Sequence, residues 1–199
     1  VDPVRFNPNM DRNKGSVMHK PVISATGVFT PSEVITNDEL VVAFNAYADL
    51  YNAQNADAIA VGALVAKDHS SSEFITKASG IEQRYVLNKS GVLDPNVMHP
   101  VLRERSDDEP SQMAEMAVTA AQVALDKAGI DAADVDLILV AASNFERAYP
   151  AIAVEVQALL GASGFGYDMN VACSSATFGI QSAADMIRAG SVRKALVIN

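Results

Sequence analysis

The sequence predicts an α/β fold on a mainly parallel sheet, and three apolar runs carry that prediction. They are 137–142 (LILVAA), 167–171 (YDMNV) and 195–198 (ALVI), starting at steps of 30 and 28 residues. The stretches between them have helical spacing, so the order is strand–helix–strand–helix–strand, the signature of parallel βαβ units. The first run is apolar without alternation, as in a parallel strand covered on both faces. One helix set in this chain is not expected to provide that cover, so a missing half or a partner is expected to complete it.

Taken in order, residues 1–16 are polar and read as a tail or scar, and 17–199 as the folded part. Residues 21–28 (PVISATGV) read as a first strand. Thr36 or Asn37 caps a following helix with Asp38 and Glu39 in its first turn and Leu40, Phe44, Tyr47 and Leu50 in line. Residues 46–72 are alanine-rich, then polar, and read as a helical excursion. Residues 88–109 hold two prolines and the charged run 103–109 without a steady period, and read as a long loop. Residues 111–128 form a helix with Met113, Met116, Ala117, Ala120, Ala121 and Ala124 on one face and Gly129 as its stop. Residues 150–160 form the next helix, Pro150 suiting its first turn. Residues 161–166 (GASGFG) follow a helix rather than open one, so they read as a turn and not as a phosphate cradle. The last helix covers 174–189.

The chain of 199 residues carries 15 Lys+Arg against 24 Asp+Glu, a net charge of −9. That sign argues against nucleic-acid or anionic-membrane partners, which need a positive surface. No run of about 18 apolar residues exists, so no membrane span is expected, and a cytoplasmic protein is the default. The single cysteine, Cys173, excludes a disulfide within the chain and any site with several cysteine ligands. No His, Asp or Glu pair has ligand spacing, so no metal and no cofactor is expected. The first residue is not Met and the last lies in an apolar run; both ends are expected to be set by engineering or cleavage.

Cys173 lies where a strand gives way to a helix. A thiol there meets the positive end of a helix dipole and unpaired backbone N–H groups, which favour the thiolate and can hold an oxyanion. The residues alone leave two readings open: an inert buried thiol or a nucleophile. Neither His19, His69 nor His99 has a context that points to Cys173.

Residues 170–183 (NVACSSATFGIQSA), 188–198, and Val140-Ala141-Ala142-Ser143 with Tyr149-Pro150 downstream resemble the β-ketoacyl-acyl-carrier-protein synthase III family of thiolase-fold condensing enzymes. Gly27 to Pro31, Asn37-Asp38-Glu39-Leu40 and Ser79-Gly80-Ile81-Glu82-Gln83-Arg84-Tyr85 resemble its opening motifs. The resemblance implies a five-layer αβαβα sandwich of two related halves, of which this chain is the N-terminal one, apparently truncated, with an insertion at 46–72. It implies a homodimer with Tyr149 at the dimer interface and acyl pocket. It also implies an acyltransferase of fatty-acid or polyketide-type synthesis that loads an acyl group from acyl-CoA or acyl-carrier protein onto Cys173, then condenses it with malonyl-carrier protein or malonyl-CoA. Cys173 carries over as the nucleophile and its own N–H as an oxyanion donor. The family's catalytic His and Asn come from the second half, so residues 1–199 alone are expected to be inactive. The family's coenzyme A-holding Trp and Arg fall at Phe74 and Ala78, which retains an aromatic and loses the guanidinium. Arg84 is either a substrate contact or a surface ion pair. The alternatives are a non-catalytic partner subunit, which has no need of Cys173, and a cysteine-dependent acyltransferase or thioesterase on the same fold.

Overall fold

The structure, a computed structural model, describes residues 19–199. The tail assigned to 1–16 lies outside the described residues. Thr30–Arg105 forms one compact unit; Ser106–Asn199 and the described residues up to Phe29 form the other.

The first unit pairs β1 (Glu33–Thr36) with β2 (Gln83–Val86) antiparallel, Thr36 opposite Gln83. Helix α1 (Asn37–Gln54) starts at Thr36, whose hydroxyl accepts the Glu39 N–H at 3.2 Å while the Glu39 carboxylate accepts the Thr36 N–H at 3.0 Å. This reciprocal cap satisfies two N–H groups that a helix start leaves unpaired. Asn37 is buried beside it, donating to Thr76 Oγ1 at 3.0 Å and Ile81 O at 2.7 Å. The Thr36 backbone N–H, helped by Lys89, holds the Glu39 carboxyl at about 2, below its ordinary 4.5. A lowered carboxyl adds stability above its unfolded value and loses it as pH falls toward the folded one. The stability advantage of wild type over Glu39→Gln is therefore expected to shrink as pH falls from about 4.5 toward 2, which urea midpoints across that range would check.

Residues 46–54 are the last turns of α1, which runs on without a break. The short α2 (Ala56–Ala60) follows, then an extended stretch and α3 (Ser72–Ser79). That stretch lies antiparallel along α1. Asn52 clasps the Lys67 backbone with bonds of 2.9 and 2.8 Å, His69 meets Asp49 at 2.7 Å, and Asn45 clasps the Ser70 backbone at 3.1 and 2.8 Å. Asn45, Asp49 and Asn52 recur at helical spacing, so they line one face. No helix or strand occurs between β2 and the helix after it.

In the second unit, α4 (Gln112–Ala128) is capped by Ser111 and closed by Gly129 in the left-handed conformation. Its buried residues are Ala114, Ala117, Ala121 and Leu125. Strand β3 (Leu137–Ala141) is the middle of a parallel sheet ordered β4–β3–β5, with β4 at Phe165–Met169 and β5 at Ala195–Ile198. Helix α5 (Ile152–Leu160) joins β3 to β4, and α6 (Ser175–Arg188) joins β4 to β5. Ile138 and Val140 pack against α4 and α5, while Leu137 and Leu139 pack on the opposite face with Ala183 and Ile187 of α6. Side chains alternate along a strand, so β3 is covered on both faces by this chain's own helices. The edge strands β4 and β5 stay partly exposed, so the expectation that cover has to come from elsewhere is corrected for β3 alone.

Two further expectations are corrected. Residues 21–28 form no strand: Val22, Ile23 and Val28 are exposed, and no described strand offers them a hydrogen-bonding ladder. The segment lies instead along α4, where a Cβ on Gly27 would overlap the Ala120 carbonyl. Strand β4 begins at Phe165, not Tyr167, so the tail of the glycine-rich 161–166 stretch is strand rather than turn. Gly166 belongs inside it because a Cβ there would come within 3.1 Å of Ala153 O, and its absence lets α5 sit close.

Candidate functional site

Strand β4 ends at Met169, and a single turn of 3₁₀ helix, Ala172–Ser174, leads into α6. Cys173 is the middle residue of that turn and is exposed. The buried-thiol reading therefore falls. The turn is built from side chains on either side of the cysteine. Asn170 Oδ1 accepts the Ala172 N–H at 3.1 Å, and Asn170 Nδ2 donates to Ser143 O at 3.2 Å. The buried Ser175 hydroxyl accepts the Val171 N–H at 2.8 Å and faces the carbonyls of Ala172 and Ala142 at 2.8 and 3.1 Å. Ala172 between them has φ of 49°, a left-handed conformation in a residue with a Cβ. Such positions persist only where the surroundings hold them.

The Cys173 thiol makes no hydrogen bond among the described residues, and no backbone bond engages its N–H. No side chain caps α6 and its first turn holds no acidic residue, so its positive end is not neutralised locally. An exposed thiol, an unengaged N–H and an uncapped helix start together suit attack on a carbonyl and retention of the resulting oxyanion.

Tyr149 stands on the loop after β3, 90% exposed, next to Pro150 across a cis peptide. Cys173 and Tyr149 thus both follow the carboxyl ends of adjacent parallel strands, where ligand sites of open α/β sheets lie. Two contacts that the sequence reading missed fix this end of the unit. Asp168, on β4, accepts the N–H groups of Ile152 and Ala153 at 2.8 and 2.9 Å and so caps α5 across the sheet. Glu155, buried on α5, accepts the Ser111 N–H at 2.7 Å and has Arg147 Nε at 3.4 Å. A charged residue inside the apolar 152–160 run was the available signal for the second.

The other candidates lie in the first unit. Phe74 is 64% exposed in the first turn of α3, with Ala78 one turn on along the same face. Arg84, on β2, is half-buried and donates to Asn37 Oδ1 at 2.9 Å, which ties β2 to the start of α1. It is not the surface ion pair that was its alternative reading. His69 is paired with Asp49, and His99 Nδ1 lies 3.0 Å from Pro100 O. His19 is exposed. No group of three His, Cys, Asp or Glu among the described residues could hold a metal ion, and no described helix is long and apolar enough to cross a membrane.

The chain is similar to several known proteins. A family profile described as 3-oxoacyl-[acyl-carrier-protein (ACP)] synthase III matches residues 167–199. A β-ketodecanoyl-[acyl-carrier-protein] synthase of Pseudomonas aeruginosa is 60% identical over 156 residues, covering 78% of this chain and 45% of that protein. A β-ketoacyl-[acyl-carrier-protein] synthase III of Granulibacter bethesdensis is 36% identical over 182 residues, covering 91% and 43%. The crystal structure of 3-oxoacyl-[acyl-carrier-protein] synthase III from Aquifex aeolicus superposes with a TM-score of 0.63 at 24% identity, over 90% of this chain and 44% of that one. The chain thus spans less than half the length of the proteins it matches, and its α/β architecture is part of their thiolase fold.

Proposed function

The chain belongs to the 3-oxoacyl-[acyl-carrier-protein] synthase III family, and from that premise we propose that it carries the nucleophile half of a decarboxylative condensing enzyme. The Cys173 thiolate attacks the carbonyl of an acyl thioester, held on coenzyme A or on acyl-carrier protein. The oxyanion accepts the Cys173 N–H, then collapses and expels the donor's thiolate to leave an acyl-cysteine. A malonyl thioester loses carbon dioxide, its carbanion attacks the acyl-cysteine, a carbon–carbon bond forms, and Cys173 leaves as thiolate. Splitting one hard step into two is what a covalent nucleophile contributes. The proton and carbanion chemistry of the second step is assigned to the His and Asn that the family carries in its other half. Residues 1–199 alone therefore condense nothing on this reading.

Tyr149 is assigned to the acyl pocket at a homodimer interface, its exposure on a loop beside the cysteine turn being what a partner-facing residue would show. Phe74 and Arg84 are assigned to the donor's coenzyme or carrier arm, and 46–72 to an insertion. The observation that carries the proposal is the exposed thiol on a strained turn beside its own unengaged N–H. A partner subunit without chemistry has no use for that geometry.

The test is intact-protein mass spectrometry of the full-length protein after incubation with an acyl thioester. The expected result is one added acyl group, mapped to the peptide holding Cys173 and lost when malonyl thioester is added. An adduct that water removes as fast as malonyl thioester does would favour the thioesterase alternative. No adduct would sink both.

A further inference from the structure

We propose that Ser175 is a positioning residue for the nucleophile: its buried hydroxyl holds the Cys173 turn in its reactive shape. The inference rests on the reading of Cys173 as the nucleophile and adds to it the group that sets the thiol's placement. Ser175 is 2% exposed and sits two residues after Cys173, on the first residue of α6. Its oxygen accepts the N–H of Val171, two residues before the cysteine. Its single hydrogen is shared between the carbonyls of Ala172 and Ala142. One side chain therefore ties the residues before the nucleophile, the helix after it, and the end of the central strand.

That bracket is what the strain at Ala172 requires. A residue with a Cβ at φ of 49° returns to an ordinary conformation unless other contacts prevent it. Rotation at Ala172 would swing the Cys173 thiol and N–H together, because both belong to the next residue. The second clasp, from Asn170, reaches Ser143 O, the carbonyl next to the one that Ser175 holds. Asn170 is exposed, so water can replace its bonds. Ser175 is buried, so its loss leaves the Val171 N–H and the Ala142 carbonyl in search of partners, while Ala172 O keeps the Ser175 backbone N–H. Of the two, Ser175 is the one whose removal the turn cannot absorb.

The hydroxyl touches neither substrate nor the reacting atoms, so its effect is on rate and not on binding. In the full-length protein, Ser175→Ala is expected to slow single-turnover acylation of Cys173 on the order of 10²-fold, the effect of a small misplacement of a reacting group. The donor concentration giving half-maximal rate should stay within about twofold, since a group that only aligns the nucleophile leaves ground-state binding alone. Iodoacetamide labelling of Cys173 should slow in the same variant. Ser175→Thr keeps the hydroxyl and is expected to recover most of the rate; Ser175→Val, matched to it in shape, is not. The Thr and Val pair decides the matter even where Ser175→Ala fails to fold. Equal rates for Thr and Val, or a loss confined to donor binding, would overturn the role of Ser175. Absence of acylation in the wild type would instead overturn the reading of Cys173, so the two failures are separable.

Discussion

Replacing Cys173 by Ala in the full-length protein is expected to abolish acyl-enzyme formation and to cut condensation by at least the order of 10⁴-fold, as losing a covalent nucleophile does elsewhere. The size of the effect follows from chemistry: without the sulfur there is no intermediate, and the malonyl carbanion has no acyl-cysteine to attack. Stability should hardly change. Among the described residues the thiol makes no hydrogen bond, so its removal strands no partner there. Substitutions at such places usually stay within about 0.5 kcal/mol. Cys173→Ser makes the complementary point: the turn is kept, but a hydroxyl at neutral pH is a far weaker nucleophile than a thiolate. Steady-state condensation assays with thermal melts on all three proteins check this. Near wild-type condensation by Cys173→Ala would remove the nucleophile assignment outright.

The elements that the sequence made legible are those whose signal is periodic or apolar. Strand β3 stands out because every one of its residues is buried, and α4 because Ser111 and Gly129 mark its ends by their chemistry. The cysteine turn was legible because a strand gives way to a helix there. What was hidden is polar and long-range. Ser175 binding Ala142 O, Asp168 capping α5, Glu155 reaching Ser111 and the Asn45 and Asn52 clasps join residues 15 to 44 apart or set a turn by one hydroxyl. No periodicity records such bonds. The false strand at 21–28 shows the converse: β-rich composition describes a surface that suits a ladder, and the ladder itself depends on a neighbour.

The acyl donor is where the second large effect is expected: an octanoyl thioester should acylate Cys173 with at least about tenfold higher kcat/KM than acetyl-coenzyme A. The acyl chain sets the preference. An octanoyl chain has six methylenes more than acetyl, and at roughly 0.8 kcal/mol for each one buried they offer about 5 kcal/mol, so burial of a third of them suffices. The face of α3 sets the hold on the coenzyme. Phe74 is exposed there with Ala78 beside it, and a charge-assisted hydrogen bond from a guanidinium at that place would contribute roughly 1.5–3 kcal/mol toward coenzyme phosphates. Its absence weakens short and long coenzyme donors alike, so the ratio between them rests on the chain. The two effects separate experimentally. Ala78→Arg should lower KM for acetyl- and octanoyl-coenzyme A by similar factors, because it acts on the shared coenzyme. Tyr149→Ala should change the ratio between them, because it acts on the chain. Acetyl-coenzyme A emerging as the better donor in the wild type would defeat the chain-length assignment while leaving the acyl-cysteine chemistry in place.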